Sequence, residues 1–242
     1  MNTTLVINPK GGSGKTTVAI NLASYFAANR VPTTVMDYDP QGSSLNWVGL
    51  RSPHATKIHA ANAARHKTTR LRSMQMYVPP ETEQLIIDAP AGASGVVLQE
   101  MLDRAHCIIV PVPPSAIDIH ATANFVKAVL HTSRLQSRRM PVAIVANKVR
   151  RSMPRYQPMD WFLDTLGLKL VARLVDSDVF VKAAEAGAGI FEMDSSLAVA
   201  EQRQFLPIVE WVEGQRDRRD PRLSRQTQDD GVVYELAAAR TR

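Results

Sequence analysis

Five short runs in the chain are apolar at nearly every position. They are "TLVIN" (Thr4–Asn8), "TTVMD" (Thr33–Asp37), "QLIIDA" (Gln84–Ala89), "CIIVPV" (Cys107–Val112) and "VAIVAN" (Val142–Asn147). Each is rich in β-branched residues and bounded by Gly, Pro or Asp. A strand with one wet face alternates apolar and polar residues. Continuous hydrophobicity instead predicts strands covered on both faces, as in a parallel sheet. Longer amphipathic stretches predict helices at Lys15–Ala28, Ser94–Arg104, Ile117–Leu135, Met159–Leu166, Val179–Ala186 and Leu197–Val212. This alternation predicts a single α/β domain, with a mostly parallel twisted sheet flanked by helices on both faces. Residues 51–83 break the pattern and carry a basic segment, "RHKTTRLR". From Gly214 the chain is charged and poor in apolar residues. The expected division is therefore a domain over 1–213 and a flexible tail over 214–242.

Composition narrows the partners. Of 242 residues, 45% are hydrophobic, enough for a sizeable core. Lys and Arg number 29 against 23 Asp and Glu, a net charge of +6. A basic surface fits an anionic partner such as nucleic acid, acidic lipid or a polyphosphate. The single cysteine, Cys107, excludes an intrachain disulfide and a metal site of several thiolates. No run approaches the ~20 apolar residues of a membrane span, and no signal peptide is visible. The expected location is the cytoplasm, without stable membrane insertion.

The candidate chemistry sits near the start, in "NPKGGSGKTTVAINLA" (Asn8–Ala23). A predicted strand ends, glycines follow, and a helix begins. Gly11, Gly12 and Gly14 lack side chains, so backbone N–H groups, with that of Ser13, can close around an anion. The helix N-terminus adds partial positive charge. Lys15 supplies a full charge for the β/γ-phosphates, Thr16 a hydroxyl for Mg²⁺, and Thr17 a bond toward the α-phosphate. The usual G-x-x-x-x-G-K-[ST] pattern wants glycine at position 9. Here stands Pro9, followed by a second lysine, Lys10.

This K-G-G-x-G-K-T-T arrangement resembles the deviant Walker A loop of the ParA/MinD family of P-loop ATPases. The resemblance implies that Lys10 crosses a two-fold interface to the phosphates held by another subunit. "VMDYDPQGSS" is similar to the family's D-x-D-P-Q-G segment. It implies that Asp39 positions the attacking water and that Asp37 supports the Mg²⁺ shell. "LIIDAPAG" resembles a Walker B strand, with Asp88 at the metal and a γ-phosphate-sensing segment after it. "VANKVR" places Asn147 where the family recognises adenine. A carboxamide suits that task, offering one donor and one acceptor.

The implied activity is slow Mg²⁺-dependent ATP hydrolysis stimulated by a partner. The implied output is an ATP-bound homodimer that binds DNA nonspecifically, is nucleoid-associated, and positions a plasmid, chromosome region or large protein assembly. A cargo adaptor of ParB type would reset it. The candidate DNA contacts are Arg150, Arg151, Lys182 and Arg203. The alternatives within the family are a membrane-cycling ATPase of MinD kind and a regulator of polysaccharide synthesis or secretion.

Overall fold

The computed structural model describes residues 1–64, 71–130, 132, 140–150, 163 and 167–217. Seven strands form one sheet: β1 (Asn2–Val6), β2 (Thr33–Asp37), β3 (Ile58–Asn62), β4 (Gln84–Asp88), β5 (Cys107–Val112), β6 (Val142–Val149) and β7 (Lys169–Val175). Their order is β3-β2-β4-β1-β5-β6-β7, and every pairing is parallel. Among the described residues the helices are α1 (Lys15–Ala28), α2 (Ser43–Leu50), α3 (Arg72–Gln75), α4 (Gly95–Arg104), α5 (Ala116–Leu130), α6 (Asp178–Glu185) and α7 (Ser195–Asp217), with a 3₁₀ turn at Ile190–Glu192.

The continuous hydrophobicity of the strands has the expected cause. Successive side chains point to opposite faces, and both faces are covered. Leu5, Leu85, Ile87, Ile108, Val110 and Ile144 pack with Met101 and Leu102 of α4 and with Ile119 and Val126 of α5. On the other face Val6, Val35, Ile86, Ile109 and Val145 meet Leu22 and Phe26 of α1 and Phe205 and Ile208 of α7. Each large side chain so buried contributes roughly 1.5–3 kcal/mol of transfer free energy.

Several boundaries differ from the sequence-based expectation. β1 ends at Val6 rather than Asn8, because the Asn8 side chain turns inward and donates to Pro111 O at 2.8 Å and Thr122 Oγ1 at 3.0 Å. The described part of α5 ends at Leu130. The unpatterned stretch before residue 83 holds β3, an edge strand buried at only two of its five positions, which weakens its hydrophobic signature. α7 continues past Gly214 to Asp217, and Arg216 pairs with Glu83 at 2.8 Å. The expected helix at Met159–Leu166 lies outside the described residues except for Leu163, as does the tail beyond Asp217.

The segment between α6 and α7 is locked to α2. Arg51 forks onto Glu192 at 2.6 and 2.9 Å and lies 5.0 Å from the Trp47 ring centre. Trp47 Nε1 donates to Ala188 O at 3.1 Å. The close approach requires Gly187, whose φ is +64° and where a Cβ would lie 2.4 Å from the Leu50 carbonyl. Gly187→Ala is therefore expected to destabilise the fold by about 2 kcal/mol or more, read as a lower urea midpoint. Gly214→Ala, in a helix with open space around it, is the control and is expected to be neutral or stabilising by up to about 1 kcal/mol.

Candidate functional site

The glycine loop leaves the C-terminal end of β1 and enters α1 at Lys15. Ligands of open parallel sheets gather at this end of the strands. Gly14 is the N-cap, with φ 91°, and no side chain caps the helix; its first turn holds no acidic residue. The first N–H groups of α1 are thus uncapped by any side chain, which leaves the positive end of the helix dipole for a ligand. A Cβ on Gly14 would lie 1.9 Å from Asn147 Nδ2, so only glycine fits. Asn147 itself is buried at the end of β6 and donates to Ser13 O at 2.9 Å. It braces the loop, and its amide group faces the loop backbone.

The two lysines point different ways. Lys15 is buried, and its Nζ donates to Lys10 O at 2.9 Å, a carbonyl that also accepts from Ser13 Oγ at 3.2 Å. Burial lowers its pKa, opposed by attraction to Asp88 and Asp39. The Lys10 ammonium instead leaves the loop and meets Asp118 Oδ1 of α5 at 2.7 Å. Its backbone N–H donates to Asn8 Oδ1 at 2.9 Å. Gly11 and Gly12 are exposed, while Thr16 and Thr17 are half-buried.

Beside Lys15 stand the acids. Asp37 and Asp88 are register partners across β2 and β4, and both are buried. Asp37 is fully engaged: Oδ1 accepts from Asp39 N at 2.8 Å, and Oδ2 accepts from Ser44 N at 3.1 Å and Ser44 Oγ at 2.7 Å. It thereby holds the start of α2. β2 ends at Asp37, and Asp39 sits half-buried in the following turn, its Oδ1 accepting from Gln41 N at 2.9 Å. Asp39 remains close enough to influence the charge of both Lys15 and Asp88. Thr16 Oγ1 donates to Asp88 Oδ2 at 2.8 Å, while Asp88 Oδ1 is buried without a protein hydrogen-bond partner. Burial and the neighbouring Asp37 push the Asp88 pKa up to about 7.

An orphaned, buried carboxylate oxygen beside a threonine hydroxyl fits a hard divalent cation. Among the described residues no three His, Cys, Asp or Glu side chains converge as an all-protein metal cage. Mg²⁺ in nucleotide sites is held by one or two protein oxygens and otherwise by phosphates and water. Thr16 and Asp88 are the residues that fit it directly.

The segment after β4 closes back onto the loop, with Gly92 N donating to Pro9 O at 2.8 Å. Three contributors had no signal in the sequence: Asn8 beneath the loop, and Ser115 and Asp118 at the start of α5. Of the candidate DNA contacts, Arg150, Lys182 and Arg203 are exposed and lie after β6, on α6 and on α7, while Arg151 lies outside the described residues. Arg72, from the basic segment, is bound to Glu100 at 2.8 Å.

The profile of the CobQ/CobB/MinD/ParA nucleotide-binding domain matches residues 4–190. The chain belongs to this family. A relative from Halothiobacillus neapolitanus, maintenance of carboxysome distribution protein A, is 23% identical over 192 residues, covering 79% of this chain and 87% of the relative. An ATP complex of a Cyanothece McdA variant superposes with a TM-score of 0.66 at 15% identity, covering 89% of this chain and 96% of that one. The Aquifex aeolicus cell division protein MinD gives 0.67 at 14% identity, covering 88% and 97%. The single all-parallel α/β domain is thus the family's P-loop fold.

The Asp88 environment generates a pH prediction. Its folded pKa near 7 exceeds the ordinary 3.8, so the folded chain binds this proton more tightly than the unfolded one. Its contribution to stability is complete below the ordinary value and is lost as pH rises toward 7. Without metal and nucleotide, Asp88→Asn is expected to be more stable than the parent at pH 8 by about 2–4 kcal/mol, with the gain shrinking toward pH 5. Thermal melts at the two pH values measure it. Loss of stability at pH 8 would mean that the Asp88 charge is already satisfied within the protein.

Proposed function

We propose that the chain is a Mg²⁺-dependent ATPase of ParA type, which pairs on ATP and uses the pair to position a cargo. The observation that carries this reading is the divergence of the two lysines. Lys15 lies inside the loop where a phosphate would sit, whereas the Lys10 side chain is 39% exposed and directed away from it. A second ammonium that does not face its own cradle is suited to a nucleotide in another subunit.

In the proposed mechanism the first N–H groups of α1, the loop backbone and Lys15 bind the triphosphate. Thr16 and Asp88 hold the cation, with Asp37 behind them fixing the adjoining turn. Bound Mg²⁺ would polarise the β/γ oxygens. Asp39, on the flank of the site, orients the attacking water. Lys10 of each protomer offsets charge on the phosphates of the other, as trans-acting cations do in other nucleotide hydrolases. Loss of the γ-phosphate removes what Lys10 grips, and the pair separates.

Pairing doubles each basic surface, so nonspecific DNA binding steepens with dimer formation. Arg150, Arg151, Lys182 and Arg203 are the candidate contacts, and a nucleoid-associated, cytoplasmic protein follows from them. Among the described residues no helix is long and apolar enough to cross a membrane. The names of the relatives, which concern carboxysome distribution and chromosome partitioning, support a large cargo, and an adaptor of ParB type is the proposed link to it.

Two substitutions test this reading. Lys10→Ala is expected to bind ATP within about threefold of the parent but to stay monomeric with it, because the side chain removed pairs with Asp118 in its own protomer and serves the trans contact, while Lys15 keeps its place in the loop. Asp39→Ala is expected to dimerise with ATP, lose hydrolysis and remain on DNA. Light scattering with nucleotide titration and DNA cosedimentation measure both. ATP-independent dimers of equal affinity in the two variants would contradict the mechanism.

A further inference from the structure

Lys10 is restrained at both ends. Its carbonyl accepts from the Lys15 ammonium at 2.9 Å and from Ser13 Oγ at 3.2 Å. Its ammonium is paired with Asp118 Oδ1 at 2.7 Å. Asp118 is itself fixed. Its backbone N–H donates to Ser115 Oγ at 3.2 Å, and the same hydroxyl donates to its Oδ2. This is a Ser-x-x-Asp arrangement at the start of α5, where a carboxylate is favoured by the helix N-terminus. Contacts with Lys10 and Ser115 hold the Asp118 carboxyl below the ordinary carboxylate range.

We infer that Asp118 is a positioning residue, which holds Lys10 on its own protomer and so sets the threshold for ATP-dependent pairing. The inference rests on the trans role proposed for Lys10. The two restraints release by different events. A triphosphate entering the loop competes for Lys15 and frees the Lys10 carbonyl. The Asp118 pair is untouched by that step. It breaks only when the phosphates of a second protomer offer Lys10 a stronger counter-charge. Asp118 thus opposes pairing on a weakly charged nucleotide and yields to one carrying a γ-phosphate. The ion pair is partly exposed, so its grip is modest. Two pairs break per dimer, and their combined effect on pairing is about 2- to 20-fold.

The test is Asp118→Asn in the full chain, with Ser115→Ala as a second variant that loosens the carboxylate without removing it. The first readout is amine acylation of Lys10 in nucleotide-free protein, followed by peptide mass spectrometry, with exposed Lys57 as internal reference. Lys10 is expected to react severalfold faster in Asp118→Asn and to an intermediate degree in Ser115→Ala, while Lys57 is unchanged. The second readout is the protein concentration at half-dimerisation with a non-hydrolysable ATP analogue. It is expected to fall about 2- to 20-fold in Asp118→Asn. Unchanged Lys10 reactivity overturns the restraint. Weaker pairing in Asp118→Asn overturns its opposing role, because Asp118 would then support the dimer. Faster Lys10 acylation in a chain that never pairs with the analogue keeps the restraint but overturns the trans role of Lys10.

Discussion

The site is built around an imbalance of charge that the protein does not resolve by itself. Parallel pairing of β2 with β4 sets Asp37 and Asp88 at the same level, both out of water. Asp37 is satisfied by the first turn of α2. Asp88 has a threonine hydroxyl on one oxygen and no protein partner on the other. Beside it, the start of α1 has the opposite need, with uncapped N–H groups, a buried lysine and no acidic residue in its own first turn. A buried carboxylate without a partner costs several kcal/mol in its ionised form, and here it responds by a raised pKa. A magnesium nucleotide carries the two missing charges in one ligand. The fold, from strand register to the glycine at the helix cap, serves to hold these two deficits beside each other.

That arrangement leaves the loop little room for substitution. Asn147 packs where any Gly14 side chain would be and bonds to the Ser13 carbonyl. Asn8 supports the Lys10 amide from below while reaching to β5 and α5. The segment after β4 reaches the Pro9 carbonyl. Strands β1, β4, β5 and β6 therefore all meet the loop through backbone or carboxamide bonds.

Much of this was legible in the sequence. The strands that carry the site are central and covered on both faces, so their apolar runs stand out. The glycine loop was legible from its strand–glycine–helix context, whereas the roles of Asp88 and the Asp-x-Asp turn followed from the family resemblance. β3 was hidden because it is an edge strand of alanine, histidine and asparagine. α2 was hidden because its position depends on the Asp37 cap and on Arg51 reaching Glu192. Asp118 and Ser115 were hidden because their link to Lys10 arises only when β5 is laid beside β1. The adenine role expected for Asn147 came from the family resemblance, whereas its bond to the loop is made beside the irregularity of β6, where Lys148 adopts φ 58°.

The central claim is that neither metal nor nucleotide alone completes the site, and that completion is what allows two copies to pair. Sedimentation velocity of the parent chain across four conditions tests it most directly: no ligand, Mg²⁺ alone, a non-hydrolysable ATP analogue with chelator, and the analogue with Mg²⁺. The account predicts a monomer in the first three and a dimer in the fourth. A dimer in the absence of ligand, or one that forms equally well with the chelator present, would contradict it.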